Sequence, residues 1–187
     1  MTYSKNWLDL ANRALVKTGN QQIESFTDGA ENSQYINTLL PEAVENVASM
    51  FPWRCLTQRL ALAPSDTAPA FGFDYAYPLP ADLACLIEVI VDTACSWKRE
   101  AGNIVTDSTF CNVIYLKLPA EPTDLTPILR ELVVLRLAYN IVQTTTSNTT
   151  LMTQLGNEFT SALTLAERAD TQAEEDTQEW EGWNNYR

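Results

Sequence analysis

The 187 residues carry 12 Lys+Arg against 24 Asp+Glu, a formal net charge of −12, with 45% hydrophobic residues, 19% charged residues and no histidine. That length and balance fit one globular domain, or one domain with an arm, and exclude a disordered chain, a collagen and a coiled-coil rod. The acidity argues against wrapping DNA by phosphate neutralisation and against docking on an anionic membrane, and the missing histidine removes Ser-His-Asp triads, His-ligated zinc and every histidine base.

No apolar run approaches the ~20 residues that span a bilayer, and residues 1–6 lack the apolar core of a signal peptide, so neither a membrane span nor an export signal is expected. The first helix is expected over residues 4–18, where Trp7, Leu10, Ala11, Ala14 and Leu15 share one helical face. Gly19 is its expected C-cap and residues 19–27 read as a polar loop. A second helix is expected from about residue 28, with Asp28 and Glu31 at capping-box spacing. Its apolar face holds Ile36, Leu39, Leu40, Ala43, Val44 and Val47. Pro41 inside this pattern predicts a kink or a split, and Phe51-Pro52 ends it.

The period then changes to two. Leu56, Leu60 and Leu62 alternate with polar neighbours, which predicts a strand, and residues 64–72 read as loop. The apolar, β-branched run at 85–91 predicts a well-buried strand, and Gly102-Asn103 a hairpin turn. Phe110, Ile114, Leu116 and Leu118 predict a last strand over 110–118. The middle third is thus expected to be one small antiparallel sheet.

Asp124 or Thr126 can cap the next helix, with Pro127 in its first turn. Over residues 127–145, Ile128, Leu129, Leu132, Val133, Leu135, Leu137, Ile141 and Val142 cover most of the circumference, and from Arg136 onward only Arg136, Asn140 and Gln143 form a narrow polar stripe. Such a helix is expected at the centre, packed on several sides. The last helix is expected over 150–178, with Leu151, Leu155, Phe159, Ala162, Ala166, Ala169 and Ala173 on one face. Residues 167–187 hold seven acids and two bases, net −5, and carry Trp180, Trp183 and Tyr186. An acidic tail studded with aromatics has the composition of a docking segment.

Residues able to carry chemistry are few. There is no phosphate-binding glycine motif, and six glycines do not build an extended phosphate cradle. Cys55, Cys85, Cys95 and Cys111 are separated by 30, 10 and 16 residues, without the close pairs of a zinc site, and are expected as buried, reduced thiols. Cys85 and Cys95 lack a nearby base to activate them. Asp74, Asp82 and Glu88 are carboxylates near the sheet; Asp82 is expected to cap a turn and Glu88 to face solvent. The acids Glu174-Glu175-Asp176 read as a solvated helix face. No catalytic residue, metal ligand or cofactor site is expected, and the chain is not expected to be an enzyme.

One block remains. Phe71-Gly72-Phe73-Asp74-Tyr75-Ala76-Tyr77-Pro78-Leu79-Pro80-Ala81-Asp82-Leu83 reads as an extended segment with Phe73, Tyr75 and Tyr77 on one side, turned by its prolines into the next strand. The motif from Tyr75 to Asp82, followed by Leu86-Ile87-Glu88-Val89, resembles a hallmark of the head-to-tail adaptor family of tailed bacteriophages, the tail tubular protein A-like connectors. The flanking order is similar too. It runs from Leu15-Val16-Lys17-Thr18-Gly19 ending the first helix, through a helix closing on Phe51-Pro52-Trp53, to the strand Leu60-Ala61-Leu62. A hairpin with Trp97 and Glu100-Ala101-Gly102-Asn103 follows, then the Tyr115 strand, a helix over 132–141 and a final acidic helix.

The resemblance and the pattern together give an α+β expectation, mainly α: about four helices, a small antiparallel sheet inserted between the second and third, and an extended C-terminal arm. The expected organisation is an adaptor domain over 1–178, with helices in 1–51, the β insertion in 54–118, helices in 127–178, and a docking arm at 179–187. The resemblance implies a structural virion protein. Family members form a ring, commonly of twelve subunits, that joins the portal protein to the next tail or nozzle protein and continues the DNA channel. DNA would pass without specific binding and no membrane would be involved. The chain would reside in the virion at the head–tail interface, and in the host cytoplasm during assembly. Under this resemblance Trp53, Tyr75, Tyr77, Pro78, Leu79, Pro80 and Asp82 are structural motif residues, and Trp180, Trp183 and Tyr186 anchor the arm in the portal. The alternative is a free-standing cytoplasmic α+β protein-binding module without catalytic activity.

Overall fold

The computed structural model describes residues 5–145 and 148–184, with side chains over 7–145 and 148–172. The fold is α+β and mainly α. The helices are α1 (Lys5–Lys17), α2 (Glu31–Ser49), α3 (Pro127–Thr145) and α4 (Thr149–Asn184). Between α2 and α3 lie strands β1 (Thr57–Leu62), β2 (Tyr75–Pro78), β3 (Leu83–Ile90), β4 (Trp97–Glu100), β5 (Asn103–Thr106) and β6 (Cys111–Lys117). The chain divides into two compact units: the stretches up to Cys55 and from Pro119 onward form one, and Leu56–Leu118 forms the other.

In the helical unit α3 packs against α1, α2 and α4, as its all-round apolar surface requires. Leu129, Leu132, Val133, Val134, Leu135, Leu137, Ala138, Ile141 and Val142 are all buried. Thr126 Oγ1 accepts from Leu129 N at 3.4 Å and so caps this helix, while Asp124 Oδ2 accepts from Ala120 N and Glu121 N in the preceding 3-10 turn. Trp7 Nε1 donates to the Ala120 carbonyl at 2.9 Å, fastening α1 to the point where the chain re-enters this unit. Arg13 and Lys17 of α1 pair with Glu131 of α3, and Lys17 Nζ also lies 3.7 Å from Glu158 of α4. These partly exposed pairs are worth ~1 kcal/mol or less each.

Two expectations in this unit need correction. Asp28 is not the N-cap of α2. Ala30 holds that position, and the Asp28 carboxylate instead accepts from Ala30 N at 2.9 Å and from the Ser33 hydroxyl. Those two donors, the hydroxyl above all, hold the Asp28 carboxyl below its ordinary value. Pro41 does not split α2, which runs as one element from Glu31 to Ser49. The loop read as merely polar is held by asparagines of the flanking helices. Asn12 exchanges two 2.9 Å bonds with Ile23, and Asn32 and Asn37 donate at 2.8 Å to the carbonyls of Gln21 and Phe26.

The second unit holds two three-stranded antiparallel sheets rather than one, ordered β1-β6-β3 and β2-β5-β4. Both contribute to one core: Tyr77 and Ile104 from the second meet Cys111, Val113 and Tyr115 from the first, with Leu62, Leu83, Leu86 and Val89 packed around them. The β4–β5 turn is Ala101-Gly102, one residue earlier than the expected Gly102-Asn103. Ala101 (φ 44°) and Gly102 (φ 80°) both lie in the left-handed region, as a two-residue primed turn requires. The run expected as a buried strand at 85–91 forms β3, but Ile87, Glu88 and Ile90 are exposed.

Candidate functional site

The motif from Tyr75 to Asp82 is the passage from one sheet to the other. Tyr75–Pro78 pairs with β5 in the second sheet, and Leu83 opens β3 in the first. Leu79 N donates to the Gly102 carbonyl at 3.0 Å, tying the crossing to the β4–β5 turn, and Leu83 N donates to the Pro80 carbonyl at 3.3 Å. Pro78 closes β2 opposite Asn103. Asp82 does not cap a turn through its carboxylate. Its Oδ1 accepts from the Tyr115 hydroxyl at 3.3 Å, and its main-chain oxygen accepts from Leu118 N at 2.7 Å.

Tyr77 is fully buried, its hydroxyl donating to the Ser108 carbonyl at 2.9 Å, and its ring lies 6.3 Å from that of Tyr75. Burial raises the Tyr77 phenol above its ordinary value; burial and then Asp82 do the same to Tyr115. Ser108 is a hub that nothing in the sequence pattern signals. Its Oγ accepts from Asp92 N at 3.1 Å and donates to the Phe110 carbonyl at 2.7 Å. Trp53 is buried in the helical unit against Phe51, ring centroids 4.9 Å apart.

The thiols are all free, but only Cys111 is buried; Cys85 and Cys95 are half-buried and Cys55 is exposed, which corrects the expectation of four buried cysteines. Burial raises the thiols of Cys111 and Cys95, and Asp92 and Asp107 add to it at Cys95, so neither is poised as a thiolate. Glu88 is exposed on β3, as expected for a solvated position. Among the described residues no cluster of three or more His, Cys, Asp or Glu has the placement of a metal site, and no helix is long and apolar enough to cross a membrane.

Concavities among the described residues of the helical unit include two of note. One, of about 790 Å³, is an open groove on the polar face of α4, lined by Thr149, Thr150, Thr153, Gln154, Asn157, Glu158 and Ser161. The other, of about 470 Å³, lies among Asp9, Leu10, Arg13, Pro122, Thr123, Pro127 and Arg130.

The sheet unit bears a set of exposed large apolar side chains: Leu60, Phe71, Ile87, Ile90, Trp97 and Phe110. Phe71, 89% exposed, projects from the loop ahead of β2. These side chains are spread over β1, β3, β4 and the loops ahead of β2 and β6. At the other end of the chain, α4 continues to Asn184, so residues 179–184 of the expected extended arm belong to the helix. The side chains of Trp180 and Trp183, and the whole of Tyr186, lie outside the described residues.

A scan against models of known protein families finds no match for this chain, and a search of curated proteins finds none either.

Proposed function

We propose that the chain is a structural subunit of a phage head-to-tail adaptor, forming a ring between the portal and the next tail component and continuing the DNA channel. The observation that carries this reading is the role of the Tyr75–Asp82 motif. Its residues form the crossing between two small sheets that lie between α2 and α3 in sequence, where one small sheet was expected.

The C-terminal segment is the proposed portal contact. Residues 167–187 carry seven acids against two bases and hold three large aromatics, the residue class favoured as interface anchors. Basic portal groups would meet the acids, and pockets would take Trp180, Trp183 and Tyr186. Loss of one such anchor costs ~2 kcal/mol or more per subunit. Deleting residues 180–187 tests this. The shortened chain is expected to fold normally, yet fail to join DNA-filled heads, which then leak or lack tails. Normal yields of infectious particles with the deletion would overturn the portal-arm assignment.

A further inference from the structure

The sheet β1-β6-β3 has complementary edges. Successive rows across it read Gln58–Tyr115–Leu86, Arg59–Ile114–Glu88, Leu60–Val113–Val89 and Ala61–Asn112–Ile90. Arg59 and Glu88 thus flank the same residue, Ile114, on the same face, one on each outer edge. They stand two strand spacings apart, about 10 Å, and neither takes part in an ion pair among the described residues. Sliding a second copy of the sheet alongside the first would set Glu88 of one copy beside Arg59 of the next. The rows below would bring Leu60 to Val89 and Ala61 to Ile90.

Three observations favour these two edges over the others. Strand β1 is six residues long, pairs on one side only, and has neither proline nor bulge in its register. Edge β2 carries Pro78, and edge β4 is four residues with three consecutive charges, both devices that blunt an edge. Edge β3 has register breaks at Leu83/Cys85 and Leu86/Glu88, but Glu88–Ile90 runs regularly. Leu60 (40% exposed), Ile87 (43%) and Ile90 (40%) present apolar surface along the two edges.

From this register we infer that a second copy of the chain is the occupant of the β1 edge, adding its β3 edge in a head-to-tail contact centred on an Arg59–Glu88 pair between copies. Both strands run antiparallel to β6, so they are parallel to each other. Copies related by rotation about an axis along the strands keep that sense, and their sheets join as a parallel pair. A two-fold contact would instead join like edges, β1 to β1 or β3 to β3, and would leave the opposite charges of Arg59 and Glu88 without each other. A heterologous contact closes into a ring or continues as a filament. The contact deepens the ring proposed above and rests on it only for closure.

The test is complementation between two full-length variants, Arg59→Glu and Glu88→Arg, followed by analytical ultracentrifugation up to millimolar protein, with circular dichroism to verify folding. The wild-type chain is expected to self-associate in a concentration-dependent manner. Each variant alone places like charges at every junction and should associate at least tenfold more weakly. Glu88→Arg is the sharper case, because it lowers the net negative charge and would aid association if general repulsion ruled. Mixing the two variants restores opposite charges at every junction and should restore association. The contact is overturned by a wild type that stays monomeric throughout, by variants that associate like wild type, or by folded variants whose mixture stays apart. It is also overturned if Arg59→Glu alone matters, the outcome for a different partner strand on β1. None of these outcomes bears on deletion of residues 180–187, which tests the portal arm separately.

Discussion

The indole Nε1 of Trp53 donates a 2.7 Å hydrogen bond to the carbonyl of Val47, and both residues are 1% exposed. Val47 belongs to the last turn of α2, where carbonyls lack helical partners, and it also accepts from Met50 N at 3.4 Å. The tryptophan therefore closes the end of the helix and fills the core beside it. Trp53→Ala should lower stability by about 3–5 kcal/mol. Trp53→Phe keeps most of the packing, removes the donor and should cost about 1–2 kcal/mol. Urea unfolding measures both; equal losses would mean that the hydrogen bond contributes all of the effect.

Removal of the Tyr77 hydroxyl leaves the Ser108 carbonyl without its side-chain donor. Tyr77→Phe should cost about 1–2 kcal/mol near neutral pH. The alkaline limb gives a second readout. Burial holds the Tyr77 proton more tightly in the folded chain than in the unfolded one, where tyrosines ionise near the ordinary value of 10.0. Its stabilising contribution is therefore complete below pH 10 and is lost as pH rises from there through the folded-state value. The decline should be shallower in Tyr77→Phe, with Tyr115 responsible for part of what remains. Parallel declines in the two proteins would remove Tyr77 from the alkaline transition.

At the β4–β5 turn, Ala101 adopts φ 44°, a conformation that costs a residue with a Cβ roughly 1–2 kcal/mol. Asparagine tolerates it, and Asn-Gly is the preferred pair for this turn. Ala101→Asn should raise stability by up to about 1 kcal/mol, whereas Gly102→Ala should lower it. Thermal unfolding of the two variants checks both signs. A destabilising Ala101→Asn would contradict a turn centred on residues 101 and 102.

What could be read from the residues follows a physical division. Helix α3 was legible because an all-round apolar surface has one solution, burial among neighbours. Strand β1 was legible from its alternation, β3 from its apolar, β-branched run and the β4–β5 hairpin from its glycine turn, since all three signals are local. The pairing was not: whether Tyr75–Pro78 and the Cys111 strand share a sheet depends on where the Pro78–Asp82 crossing sends the chain, and no periodicity encodes that. Asp28 misled for a similar reason. Its spacing to Glu31 matches a capping box, but Ser33 supplies a stronger local partner, and the carboxylate turns to it. The Arg59–Glu88 relationship lay beyond sequence reasoning because it exists only through their common neighbour Ile114. The Ser108 hub shares that character, since it joins the Tyr77 hydroxyl and the Asp92 main chain, both distant in sequence, to the turn before β6.

In the proposed ring, a channel lined by copies of a chain of net charge −12 should let DNA slide rather than hold it. Fluorescence anisotropy with duplex DNA at about 0.15 M salt should show binding weaker than a Kd of about 10⁻⁴ M. Tighter binding that falls steeply with added salt would place phosphate-neutralising groups on the lumen and contradict a non-adhesive channel.

Quantitative mass spectrometry of purified phage particles tests the adaptor assignment most directly. The expected result is this chain present in every particle preparation at a copy number matching that of the portal protein. A chain abundant in the producing cells but absent from the purified particles would contradict it.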